Sequence, residues 1–317
     1  MSSALAQGYE EYFRWIEEEV DRLYSVARKA RSKGYDPSNE PEPKLAHTIA
    51  ERVEKLVGPL GVAKRISELS QNLSREEVAL KIAEEVVEGR FGGGDQRQLI
   101  EQAIRTALAI LTEGVTVAPL QGIVDVAIKK NPDGSDYLAI YFAGPIRSAG
   151  GTEQALILVI ADQIRKKAGL DRYKPTIHEV KRFVEEVRTY EREVGKFQYH
   201  VGDEELSLAY SNLPIEVTGT ETDKVEVTAF RDLPRIETNR VRAGALRVVN
   251  DGVVGRARKV LKIVESLGIE GWEWLSGLKP EASSRGSRGK VAEYMEDVVA
   301  GRPIFSFPSR VGGFRLR

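Results

Sequence analysis

The segment YFAGPIRSAGGTEQALILVIADQIRKKAG, residues 141–169, constrains the fold more than any other stretch. An apolar run over 137–142 must stop at Gly144 and Pro145. Glycine relaxes the backbone there, and proline has no N–H for a ladder. Leu156, Val159, Ile160 and Ile164 then recur at helical spacing. A strand therefore passes through a short loop of small residues straight into a helix, which Thr152 is placed to cap. Such a turn gathers free N–H groups and the positive end of the helix dipole. Arg147, Ser148, Gly150, Gly151 and Thr152 are accordingly candidates for holding a phosphate or carboxylate. The competing reading is a tight strand-to-helix connection whose glycines serve packing. The loop matches neither G-x-x-x-x-G-K-[ST] nor G-x-G-x-x-G.

Upstream, residues 8–33 predict one long helix. Phe13, Ile16, Val20, Leu23, Ala27 and Ala30 repeat in alternating steps of three and four, with Gly34 as the stop. Burial against its own domain is the default for such a stripe. The functional alternative is a helix that docks a partner chain through Phe13, Ile16, Val20 and Leu23. YDPSNEPEP at 35–43 reads as an extended linker, so 1–43 forms a docking helix with a Pro-rich tether. Residues 44–114 read as a helical subdomain. Capping boxes are expected at Ser74/Glu77 and Asp95/Gln98, and a broad apolar face runs from Leu99 to Leu111.

At Val115 the period changes to two, opening an α+β domain over 115–275. Strands at 124–129 and 137–142 flank the NPDG turn. Thr176/Glu179 makes a third capping box. Residues 215–218 and 225–228 read as a hairpin, and 244–249 as a further strand. A basic amphipathic helix over 253–267 carries Arg256, Arg258, Lys259 and Lys262. Trp272 and Trp274 anchor this end on the body, with base stacking as the alternative. Residues 276–290 read as a flexible basic linker, and 291–317 as the start of a further domain. The expected fold class is α+β: a helical N-terminal part, a mixed sheet domain, then the opening of a β-rich domain.

Function classes narrow by exclusion. There are no cysteines, which rules out thiol catalysis and cysteine-ligated zinc within these residues. The three histidines lack metal-ligand spacing. No apolar run approaches a membrane span and no signal peptide opens the chain, so a cytoplasmic protein is expected. No Ser-His-Asp set, H-E-x-x-H or D-x-D motif appears, so no catalytic and no metal-binding residue is assigned. The net charge of −1 hides an asymmetry: residues 276–317 carry eight Lys/Arg against four Asp/Glu. RDLPRIETNRVRAGALR is also cationic. Within it, Arg235, Arg240, Arg242 and Arg247 are the candidates for holding DNA phosphates, beside Arg231. The alternative is internal pairing with the acidic helices.

YFAGPIRSAGGT, LPIEVTG, TDKVEVTAFRDLPRIETNRVRAGALRVV, GIEGWEWL and AGRPIFSFPSRVGGFRLR, in this order, resemble the N-terminal region of the large subunit of archaeal family D DNA polymerase. The resemblance covers essentially the whole chain and is least diagnostic over its first 45 residues. It implies a heterodimer in which the large subunit polymerises and a small subunit is a 3′–5′ exonuclease. It also implies Mg²⁺, deoxynucleotides, a DNA primer-template and a sliding clamp. In that family the catalytic aspartates and zinc-binding cysteines lie beyond residue 317. The resemblance therefore carries over no catalytic residue. It implies a non-catalytic scaffold and assembly portion, with self-association left open. Two rivals remain: a stand-alone nucleotide- or phosphate-binding enzyme using the 147–152 loop, and an interaction module without nucleic-acid contact.

Overall fold

The computed structural model describes residues 2–34, 46–221 and 224–278, together with 305–306 and 315–316. The 35–43 linker and nearly all of 276–317 lie outside the described residues. Five helices come first: α1 (Ser2–Ser32), α2 (Ile49–Leu56), α3 (Val62–Leu69), α4 (Arg75–Val87) and α5 (Gln96–Leu111). Strands β1 (Ile123–Lys130) and β2 (Asp136–Phe142) follow, then α6 (Gly151–Lys167), α7 (Ile177–Glu193), α8 (Asp203–Asn212) and β3 (Glu216–Gly219). Helices α9 (Ala243–Arg247) and α10 (Ala257–Ser266) complete the body, and β4 (Phe305–Ser306) pairs antiparallel with β5 (Arg315–Leu316).

Local chemistry sets the helix starts. At Ser74, Asp95 and Thr176 the cap side chain accepts the N3 amide, and the N3 Glu or Gln reaches back. Each box satisfies two N–H groups that the helix itself cannot. Asn131 and Gly134 turn β1 into β2, with Gly134 at φ 87°.

The sheet is small and mixed, in the order β1-β2-β3. β1 runs antiparallel to β2, and β3 lies parallel on β2's other edge, with Ala139 opposite Glu216 and Phe142 opposite Gly219. β2 is buried on both faces. Leu138, Ile140 and Phe142 join the main core, while Tyr137 and Ala139 join Tyr173 in a second cluster. The main core runs from Ala50 to Leu278, so the helical part and the sheet part share one apolar interior. The α+β expectation describes this body.

Three local expectations are corrected. Residues 215–218 and 225–228 form no hairpin. β3 pairs with β2, while Val225 and Val227 bond instead to the 239–241 backbone (Val241 N–H to Val225 O, 3.0 Å; Val227 N–H to Asn239 O, 2.9 Å). Residues 244–249 are not a strand: they form α9 and enter a π-helical turn, Val248–Val254. Gly244 is small because a β-carbon there would stand 2.6 Å from the Ala143 carbonyl carbon. Thr152 does not cap α6. Gly150 takes the cap position in extended backbone, and Thr152 is buried inside the first turn.

Candidate functional site

The 143–152 loop is clamped by backbone contacts. Ala143 N–H donates to Gly122 O (3.0 Å), and a β-carbon on Gly122 would sit 2.8 Å from Ile146 Cα. Gly151 packs on the Asp251 carbonyl, where a β-carbon would approach to 2.9 Å. Gln154 Nε2 donates to Ala149 O (2.7 Å). Arg147 and Ser148 are exposed, and Ser148 Oγ donates to Pro145 O (2.9 Å). The space above Gly150 is already taken by a carboxylate, for Glu153 Oε2 fills the place where a β-carbon would stand. Glu153 is in turn 3.7 Å from Arg75. An incoming anion would meet that negative charge, so the geometry favours the packing role of this loop over phosphate binding.

The arginine-rich segment lies across the second face of the sheet and against α7. Helix α7 is two-faced. Val180, Phe183, Val187 and Tyr190 enter the core, while Glu179, Arg182 and Glu186 form a buried charged stripe. Arg242, 1% exposed, donates from Nε and Nη2 to Glu186 (3.0 and 2.7 Å) and from Nη1 to Thr218 Oγ1 (2.8 Å). Its guanidinium also lies 5.2 Å from the Phe183 ring centroid. Burial alone would depress its pKa, but Glu186 raises it overall, so the guanidinium stays charged. Arg235 forks onto Glu179 and packs over Tyr173 and Tyr137. Arg182 donates to the carbonyls of Thr238 (2.8 Å) and Phe230 (3.1 Å). Glu185 accepts three successive backbone N–H groups, from Thr228, Ala229 and Phe230. Burial pushes its carboxyl up, and these donors more than reverse that.

The remaining candidates are paired too. Arg240 donates to Glu221 (2.8 Å), Arg231 reaches Glu226 (3.0 Å), and Arg247 donates to the Tyr190 hydroxyl (2.6 Å). The segment is thus a charged weld between α7 and the sheet, not one cationic surface. Arg242 and Arg235 in particular are spent on internal carboxylates, which corrects the expectation that they face DNA. Sequence reasoning missed Glu179 and Glu186. A signal existed: they are seven residues apart, as are Arg235 and Arg242. Beside the weld, buried Glu216 accepts from Tyr137 Oη (2.8 Å) and Lys129 Nζ (3.3 Å).

The α1 seam is open. Phe13 is 59% exposed and Leu23 63%, with Val20 exposed and Ile16 half-buried. Tyr9, Tyr12, Trp15 and Val26 are exposed as well. Among the described residues, nothing buries this stripe, so the default of intramolecular burial is not seen there. Trp272, by contrast, is fully buried. Its Nε1 donates to Asp162 Oδ2 (3.1 Å) and it stacks on Trp274, which makes the pair an anchor. Among the described residues no three His, Asp or Glu side chains gather as a metal site, and no helix is long and apolar enough to cross a membrane.

These features describe a body built to hold itself together while one helix presents apolar side chains outward. The family model "DNA polymerase II large subunit DP2, N-terminal" matches residues 11–281, and that of the same subunit's central domain matches 287–317. The chain belongs to the DNA polymerase II large subunit family and represents its N-terminal portion. Among similar proteins, the DNA polymerase II large subunit of Methanothermobacter thermautotrophicus is 52% identical over 315 residues, covering 97% of this chain and 29% of that one. That of Methanococcus maripaludis is 48% identical over 336 residues (98% and 30%). That of Pyrococcus horikoshii is 46% identical over 349 residues (99% and 24%). The chain thus spans under a third of the length of these relatives.

Proposed function

We propose that this chain is the non-catalytic assembly portion of a DNA polymerase large subunit, and that α1 docks the polymerase's small exonuclease subunit. One observation carries the reading: the apolar seam of a 31-residue helix faces solvent, with Phe13 and Leu23 more than half exposed. Leaving such a stripe in water forgoes about 25 cal/mol per Å² of apolar area. A partner groove would recover that loss through anchors spaced at i, i+3 and i+7. The family match supports the polymerase context. Template-directed synthesis, Mg²⁺, Zn²⁺ and the clamp contact then belong to parts of the polymerase beyond residue 317. Cytoplasmic placement follows from the same role.

The test is co-purification. A full-length large subunit lacking residues 1–34 should fail to pull down the small subunit, and the body's thermal transition should stay within about 2 °C of the parent. A collapse of that transition would show that α1 is ordinary core. Retained pull-down would move the interface elsewhere.

A further inference from the structure

Two groups of cations in the body contrast among the described residues. Those of the 231–247 segment all have acidic or hydroxyl partners. Those on the outer face of α10 have none. Val260 and Val264 bury the inner face of that helix, while Arg258, Lys259 and Lys262 are exposed and unpaired with any carboxylate among the described residues. Arg258 and Lys262 are one turn apart, and Lys259 stands three residues before Lys262, so all three share one face. Glu265 is the one acid on α10, at its far end, and no ion pair joins it to them. Just before them, Arg256 lies with its guanidinium 5.2 Å from the Tyr199 ring centroid.

This arrangement opposes local electrostatics twice. Like charges at i, i+3 and i, i+4 repel. Cations in a first turn also face the positive end of the helix dipole. Elsewhere a cation in a first turn, such as Lys64, Arg75 or Arg97, has a carboxylate at or beside the same helix start. Helices α2, α4, α6, α7 and α8 carry carboxylates in their first turns. α5 has Asp95 at its cap, and at the start of α3 the Glu54 carboxylate accepts from Gly61 and Ala63 N–H (3.0 and 2.7 Å). Helix α10 instead opens Arg256-Ala257-Arg258-Lys259, with no acid in its first turn.

We propose that the outer face of α10 is a contact for the phosphate backbone of duplex DNA, made by Arg258, Lys259 and Lys262 without reading sequence. The proposal rests on the polymerase reading above, since that context supplies the polyanion. The occupant follows from charge complementarity. Three cations in a row on a rigid, buried-backed helix suit closely spaced phosphates. No aromatic ring sits on this helix, so it offers no platform on which unpaired bases could stack.

Fluorescence anisotropy of a labelled 30-base-pair duplex with this chain, over a salt series, tests the idea. Neutralising three phosphates contributes a log–log slope of about −0.9 each. Between about 50 and 200 mM salt the parent should therefore lose about forty-fold more affinity than R258Q/K259Q/K262Q. R231Q/R240Q, at arginines already answered by Glu226 and Glu221, should change the slope by less than about one unit. The α10 variant must still co-purify with the small subunit. Equal slopes in parent and α10 variant, or no duplex binding by the parent at low salt, would overturn the proposal and leave the α1 reading standing. Loss of co-purification in the α10 variant would make this face a protein interface and also overturn it. Failure of the α1 deletion test alone would leave the DNA contact intact.

Discussion

Arg242→Gln should destabilise the body by about 3–4 kcal/mol, because it breaks a buried ion pair from one side only. The magnitude follows from what remains. Glu186 is fully buried and loses two guanidinium donors at 3.0 and 2.7 Å. Thr218 loses its donor at 2.8 Å, and the face of Phe183 loses its cation. Removing one partner of such a pair costs about 3–5 kcal/mol. The lower half of that range applies, since Arg182 Nε stays 3.5 Å from Glu186 Oε2 and partly offsets the orphaned charge. For a body of this size the melting temperature should fall by about 6–16 °C. Urea unfolding followed by circular dichroism reads the free energy directly. Arg242→Lys should fall between, keeping the charge but losing the planar fork. The double change Arg242→Met with Glu186→Leu should recover most of the loss, because it removes the desolvated charges together. A loss below about 1 kcal/mol in the single variant, or a double variant no better than the single, would refute the reasoning.

Two further outcomes follow from the same interior. Burial raises the Glu216 carboxyl above its ordinary value, against the pull of Lys129 and Tyr137. Its contribution is fully present below the unfolded value of about 4.3 and is lost as pH rises through the folded value. Glu216→Gln should therefore flatten the fall in stability as pH rises above about 4, and identical pH slopes in the two proteins would refute this. Gly244→Ala should cost about 1–3 kcal/mol, as its methyl would press on the Ala143 backbone at 2.6 Å; an unchanged urea midpoint would show that the contact yields.

What could be read from the sequence was what local chemistry decides. The Ser74, Asp95 and Thr176 boxes, the apolar face of α5 and the turn at Asn131–Gly134 each depend on residues a few positions apart. What could not be read depends on distant partners. Val217 and Val227 both alternate correctly for strands, yet only the first finds an edge, because β2 offers its free side to residues 216–219. Residues 243–249 are small and apolar enough for a strand, but Gly244 is needed for a helix to press on Ala143. The arginines were visible as charge. Whether that charge faced water or α7 turned on Glu179 and Glu186, a stripe on a helix whose other face already satisfied the amphipathic pattern. The open seam of α1 was legible as a heptad, while its exposure was not.

The double burial of β2 has a consequence for how the chain is made. Strand β2 leaves the ribosome with one neighbour, β1, already in hand. Its other edge waits for Glu216, and its second face waits for Arg235 and Glu237. At about 5–20 residues per second, residues 143–215 take about 4–15 s to appear. Through that interval an apolar strand stands with an unpaired edge, the feature that invites other chains to add to it. Asp171 can bridge the start of β2 once it is made (Asp171 N–H to Asp136 O, 2.7 Å), but the partners of residues 139–142 on that edge, residues 216–219, come only later. A nascent chain stalled between 170 and 215 would thus be stickier than either a shorter or a longer one, and cells making this protein have reason to keep chaperones near that window.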